Sequence, residues 1–173
     1  MSNFITALDI GSSQIKGLVL SQKKDGTFSV VTAFKHPSAG FRKGVLVDVE
    51  EASLVLKDVA FDLQKISKSA TNNVFINIQS EHIKSRESKG IVAVARADGV
   101  IQQDDIDKVV QASKALKLFP NHLILHNIIR EYIVDDIGDI IDPMGMTGNR
   151  LEASALIVEA FAPQINTLVK VFE

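Results

Sequence analysis

The sequence predicts an α/β fold: an open layer that starts with three antiparallel strands, a helix and a further strand, and is then interrupted by an inserted strand-helix-strand-strand lobe. Three observations carry this. Short alternating or apolar runs separated by Asp-Gly and Gly-Ser turns fill residues 4–34. Leu54, Val55, Val59, Leu63 and Ile66 then recur at three- and four-residue spacing, the period of a helix with one buried face. From about His82 the pattern stops continuing that layer and begins a unit of its own.

Taken in order, residues 4–10 and 15–20 are two apolar strands joined by Gly11-Ser12-Ser13-Gln14. Lys24-Asp25-Gly26-Thr27 makes a second tight turn, with Asp-Gly supplying positive φ, and residues 28–34 alternate as a third strand. Residues 37–44 are a loop punctuated by Pro37, Gly40 and Gly44. Asp48, Glu50 and Glu51 open a helix at its positive end, and the helix runs to about Ser69. Residues 74–78 read as a short buried parallel strand. Together these form the opening half of a ribonuclease-H-like layer.

The inserted unit reads as a strand at 90–95, a turn at Asp98-Gly99 and a helix over 104–118 with Ile106, Val109, Val110, Ala112, Ala115 and Leu116 on one face. Gln102-Gln103-Asp104-Asp105 caps it. Residues 123–125 and 132–134 are further strands, and 138–148 a loop around Asp142-Pro143-Met144-Gly145-Met146. A long buried strand at 151–161 is expected to return to the first layer. Ala162-Pro163 then starts a helix whose stripe of Ile165, Leu168, Val169 and Phe172 packs on the core. The expected organisation is 1–81 as the first part of the layer, 82–155 as the inserted lobe and 156–173 as the return strand and helix.

Composition narrows the function. The chain has 173 residues, 46% of them hydrophobic, and a net charge of −2, so no basic stripe argues for nucleic acid. It has no cysteine, which excludes disulfides and thiolate metal sites. His122 and His126 are spaced i,i+4 but sit in an extended apolar stretch without the intervening Glu of a zincin helix, so no zinc site is expected. Neither a signal peptide nor a run of the roughly 18 apolar residues needed to span a bilayer is visible. A soluble, cytoplasmic chain is the expectation.

The chemistry-bearing motif is the first hairpin. Asp9 closes the first strand, Gly11, Ser12, Ser13 and Gln14 form a turn without bulky Cβ atoms, and Lys16 opens the second strand. Backbone N–H groups of such a turn can approach a phosphate. Asp9 would hold the accompanying hydrated Mg²⁺ and Lys16 would add a point charge. The plain alternative is an ordinary hairpin with a polar tip and a solvated strand-edge lysine. The pattern is not a P-loop, and no Gly-x-x-x-x-Gly-Lys-Ser/Thr or Gly-x-Gly-x-x-Gly occurs. Asp-x-Gly-Ser/Thr-Ser/Thr followed by a strand resembles the first phosphate loop of the actin, Hsp70 and sugar-kinase superfamily.

Several separated stretches together resemble one family, the bacterial cell-division protein FtsA. They are residues 7–17, 37–48 with Ser38-x-Gly40-x-x-x-Gly44, 88–94, 101–106, 124–126 followed by 132–135, and 141–152, which reads Ile-Asp-Pro-Met-Gly-Met-Thr-Gly-Asn-Arg-Leu-Glu. The resemblance implies an actin-like layer carrying an inserted lobe (1C, SHS2-like) and binding of ATP with Mg²⁺, with weak or no turnover. It implies Asp9 at the metal through water, and Gly11, Ser12, Ser13, Gln14 and Lys16 at the phosphates; Gln14 often has a lysine counterpart in the family. No catalytic residue is assigned, and His126, Asp142 and Arg150 gain no chemical role. Arg150 beside Glu152 reads as a same-face strand pair.

The resemblance further implies that the protein tethers FtsZ filaments to the membrane, recruits later division proteins and self-associates into filaments. Its place would be the inner face of the cell membrane at the division site. The chain is expected to be an N-terminal part, with a second phosphate loop, a second ATP-clasping half and an amphipathic membrane helix outside it, so its own nucleotide site would be incomplete. The alternatives are a PilM-like pilus-assembly adaptor, from which the 141–152 stretch points away, and a sugar- or acetate-kinase-like phosphotransferase, for which no substrate loop is visible.

Overall fold

A computed structural model describes residues 3–79, 81 and 83–172. The chain divides into two units, residues 1–81 with 163–173, and residues 82–162.

The first unit is built on β1 (Asn3–Ile10), β2 (Gln14–Gln22) and β3 (Phe28–Pro37), a meander whose sheet order is β3-β2-β1-β6. β6 (Val74–Ile76) joins β1 in parallel, with Leu8 opposite Ile76. A two-strand ribbon, β4 (Phe41–Arg42) and β5 (Val45–Leu46), separates β3 from the first helix, α1 (Val49–Ile66). Lys43 and Gly44 both take positive φ at its turn, as a type I′ hairpin requires. α1 starts where the Asp48 carboxylate accepts the Glu51 N–H at 3.0 Å. It buries Ala52, Leu56, Val59 and Leu63 against Leu8, Ile10, Ile15 and Val19. Leu168 of α3 (Ala162–Phe172) completes that core.

The second unit is an antiparallel sheet, β7-β10-β8-β9, with α2 (Gln103–Ser113) packed on one face. Its strands are β7 (Lys84–Ala93), β8 (His122–Val134), β9 (Ile137–Ile140) and β10 (Arg150–Phe161). β7, α2, β8 and β10 supply the strand-helix-strand-strand order, and β9 is a short addition at the edge. A Cβ at Gly90 of β7 would lie 2.6 Å from the Ser113 N, so α2 rests directly on the strand backbone there. Ile106 and Val109 of α2 meet Leu151 and Ala153 of β10 in this core.

Leu54 and Ile66, expected on the buried stripe of α1, and Val169, expected on that of α3, are exposed, and three further expectations need correction. β10 does not return to the first layer: it is the central strand of the second sheet, paired from Arg150 to Glu159 with β7 and from Leu151 to Phe161 with β8. The two separate strands expected at 123–125 and 132–134 are one strand of 13 residues. Its bulges, opposite Ser154/Ala155 and Val158/Glu159, break the alternation that a continuous strand would show. α2 ends at Ser113 rather than at residue 118. There the strands capture its last turn, with Ser88 Oγ donating to the Ser113 carbonyl at 2.7 Å and Asn127 Nδ2 to the Ser113 hydroxyl at 3.0 Å.

Among the described residues no helix is long and apolar enough to cross a membrane. His82, where the sequence reading opened the lobe, lies outside the described residues.

Candidate functional site

β1 and β2 place the motif by register alone. Asp9 lies opposite Lys16 and Ile10 opposite Ile15, and the Gly11 N–H donates to the Gln14 carbonyl at 3.0 Å to close the turn. Side chains alternate across the pair, so Ile10 and Ile15 enter the core while Asp9 and Lys16 stand on the open face. Lys16 Nζ is 3.5 Å from Asp9 Oδ2, and both side chains are half-exposed. At this exposure the pair contributes little to stability, so both charges stay available to a ligand.

Ser12 and Ser13 form the exposed tip, and their N–H groups donate to no other described residue. A Cβ on Gly11 would sit 2.8 Å from the Gln14 carbonyl oxygen, so the tightness of the turn depends on glycine. Two N–H groups without a partner among the described residues, close to an ammonium group, fit a phosphate. A single carboxylate suits a hydrated Mg²⁺ held through its water shell rather than an all-protein cage. Among the described residues no group of three or more His, Asp or Glu could hold a metal directly.

The structure brings together all six residues that the motif marks, and adds neighbours that it does not. The Gly44 N–H donates to Ser12 Oγ at 3.2 Å, and the Ser38 N–H to the Ser13 carbonyl at 3.1 Å. The loop with Ser38-x-Gly40-x-x-x-Gly44 therefore clasps the turn. Gly40 takes φ +79° and accepts from the Val47 and Asp48 N–H groups; a Cβ there would be 2.6 Å from the Ala52 N. Gly44 takes φ +77°, with Gln79 Cβ 2.7 Å from where its own would stand. The spacing of these glycines was visible in the sequence; their purpose was not. Asn77, just past β6, also reaches the site: its Nδ2 donates to Asp9 Oδ1 at 2.8 Å and its Oδ1 accepts the Ile10 N–H at 2.7 Å. No sequence signal marked it.

The remaining polar residues singled out from the sequence fall in the second unit and take structural places. His122 pairs with Phe161 and His126 with Val158. That offset, produced by the bulge between them, sends the two rings to opposite faces of the sheet. Arg150 Nε lies 3.0 Å from Glu152 Oε1, and its Nη2 also pairs with Asp136. Asp142 accepts the Met144 N–H at 3.0 Å, shaping its own loop.

Comparison with known proteins bears on the family and the fold of the chain. Residues 80–159 match the family described as the SHS2 domain inserted in FtsA. Cell division protein FtsA of Pseudomonas aeruginosa is 33% identical over 154 residues, covering 89% of this chain and 36% of that protein. FtsA of Neisseria meningitidis serogroup B is 27% identical over 170 residues, covering 98% of this chain and 41% of that protein. The chain thus spans about two fifths of the length of the curated relatives it matches. Among solved structures, a chain of the PilM–PilN type IV pilus biogenesis complex superposes with a TM-score of 0.57 at 10% identity, over 97% of this chain and 43% of that one. At that identity the likeness speaks for an actin-like fold alone. Sequence likeness along nearly the whole chain, together with the SHS2 insertion, places this protein with the FtsA cell-division proteins, whose N-terminal part it matches.

Proposed function

We propose that the β1–β2 hairpin is one wall of an ATP site in an actin-like cell-division protein. The N–H groups of Ser12 and Ser13, with Gly11 and Gln14 shaping the turn, would bind phosphate oxygens. Lys16 would neutralise their charge, and Asp9 would orient a hydrated Mg²⁺. The nucleotide, when bound, would supply the phosphate charge that these residues would hold. The carrying observation is the juxtaposition of an anion-accepting turn with a half-exposed carboxylate and ammonium 3.5 Å apart. By its relatives' nature the protein would act by assembly and contact: tethering FtsZ filaments at the inner membrane face, associating with itself and receiving later division proteins. The pilus-adaptor reading shares only the fold, whereas the FtsA reading also has sequence likeness and the SHS2 domain. Among the described residues no observation favours a phosphotransferase reading.

The test is amide NMR on this chain with Mg-ATP added to millimolar concentration. We expect shifts confined to residues 9–16 and their clasp at 38–44, with weak affinity, because only part of the ligand surface would be covered. A sub-micromolar dissociation constant would show that the site is divided differently. Unshifted resonances at 9–16 would remove the hairpin from the site. Asp9→Ala should weaken Mg-ATP far more than ATP without metal, and equal losses would end the assignment of Asp9 to the ion.

A further inference from the structure

Asn77 lies 68 residues from Asp9 in sequence but beside it at the ends of two parallel neighbours, β1 and β6. Its backbone N–H donates to the Leu8 carbonyl at 3.3 Å, which extends the β1–β6 register by one residue past β6 and fixes where its side chain starts. The amide's orientation follows from its neighbours. The Ile10 N–H can only donate, so the amide oxygen faces it, and the amide nitrogen is left to face Asp9 Oδ1.

We propose that Asn77 is a positioning residue that locks the Asp9 carboxylate and divides its two oxygens. Oδ1 is occupied by the amide, while Oδ2 stays open toward Lys16 and solvent. This deepens, and rests on, the reading of the hairpin as a nucleotide wall, since a hydrated cation would then be addressed by one oxygen in one direction. Without the bridge, a half-exposed aspartate at a strand end would sample several rotamers. Each encounter with a ligand would then carry the entropic cost of ordering it. The Asn77–Asp9 bond is solvent-exposed, so its removal should barely change folding stability.

Two variants of this chain test the assignment. Asn77→Ala removes both bonds. Asn77→Asp keeps an acceptor for the Ile10 N–H but sets a like charge against Asp9. Three-bond couplings should report one Asp9 χ1 rotamer in the parent and averaging in both variants. Thermal melting should stay close to the parent in Asn77→Asp, which keeps an acceptor for the Ile10 N–H, whereas Asn77→Ala also strips that part-buried N–H of its partner and should melt lower. A structural staple would instead leave the Asp9 rotamer unchanged in both variants, whatever their melting temperatures, and that result would overturn the proposal. In Mg-ATP titrations followed by amide shifts, Asn77→Ala should weaken binding about tenfold, the low end for losing a residue that orients a metal ligand. Metal-free ATP should bind it as it binds the parent. Equal weakening with and without Mg²⁺ would also overturn the proposal. If the parent responds to neither Mg²⁺ nor ATP, the nucleotide reading falls, and the rotamer measurement still decides whether Asn77 positions Asp9.

Discussion

Asp135 shows how one exposed side chain can organise a strand junction. It sits at positive φ in the β8–β9 turn with Asp136, and its carboxylate accepts the N–H groups of Asn149 and Arg150 at the start of β10. Those backbone donors, and next the Arg150 charge, hold its carboxyl below the usual carboxylate range. Asp25, Asp62 and Asp104 are likewise lowered, chiefly by side-chain bonds from Thr27, Lys65 and Lys108. A carboxyl lowered in the folded state contributes stability that is full above its ordinary value and is lost as pH falls through the lowered folded value. Urea midpoints should therefore fall as pH drops below about 4, the ordinary carboxylate range, and Asp135→Asn should shrink the drop. An unchanged drop in Asp135→Asn would show that its bonds do not favour the charged form. Unlike these exposed carboxylates, Glu159 is fully buried, in β10. It accepts Arg86 Nε at 2.7 Å and the Phe119 N–H at 3.2 Å. Arg86 is one third exposed and lies 4.7 Å from the centre of the Phe119 ring. Arg86→Ala leaves a buried carboxylate without its cation and should cost about 3–5 kcal/mol. Glu159→Gln, which leaves a cation able to reach water, should cost clearly less. Equal midpoints for the two variants in chemical denaturation would contradict this asymmetry.

At the scale of elements, what the sequence revealed follows from how local each determinant is. α1 was legible because its cap and acidic first turn lie within its own residues, but the stripe it buries is Ala52, Leu56, Val59 and Leu63, while Leu54 and Ile66 of the expected stripe are exposed. The first hairpin was legible for the same reason, since Asp9 through Lys16 are contiguous. Asn77 was hidden because its place beside Asp9 is created by parallel pairing across 68 residues. β10 was recognised as a buried strand, but burial does not say in which sheet. Leu151, Ala153, Ala155 and Ile157 are fully covered, and only pairing with β7 and β8 shows that α2 belongs to this sheet's core. The end of α2 was misplaced because Ala115 and Leu116 continue its apolar period, while the bonds from Ser88 and Asn127 that stop it come from distant strands. Contact between α2 and β7 rests on Gly90, whose missing Cβ leaves room for the Ser113 N. Gly90→Ala should therefore push α2 off the strand and lower stability more than Val109→Ala does. Val109 is fully buried, and its truncation should cost about 2 kcal/mol, near the low end for deleting buried aliphatic groups. Thermal melts of both variants give the order, and Gly90→Ala melting above Val109→Ala would mean that the helix can shift at little cost.

At the scale of the whole chain, the unit formed by residues 82–162 has its own sheet and its own core, of Val94, Ile101, Ile106, Val109, Val134, Leu151 and Ala153. That core is closed by local devices. Buried Asp105 accepts the Gln102 N–H at 3.1 Å in a capping box at the start of α2 and faces Arg96 Nη1 at 3.4 Å. The Ile101 N–H donates to the Met146 carbonyl, which anchors the loop around Pro143. A unit of roughly 80 residues retains only a few kcal/mol of net stability. Where the chain is cut should therefore decide whether it folds alone. Residues 82–162 should give a dispersed amide spectrum, because β10 is then present to its end. Residues 82–155 lack Ile157, Glu159 and Phe161; the central strand would be halved and Arg86 would lose its carboxylate. That shorter piece should give a collapsed spectrum. Expression of both pieces and a proton–nitrogen correlation spectrum of each make the comparison. Two dispersed spectra would show that the second half of β10 is dispensable to the sheet. Two collapsed ones would show that the unit does not fold apart from residues 1–81 and 163–173.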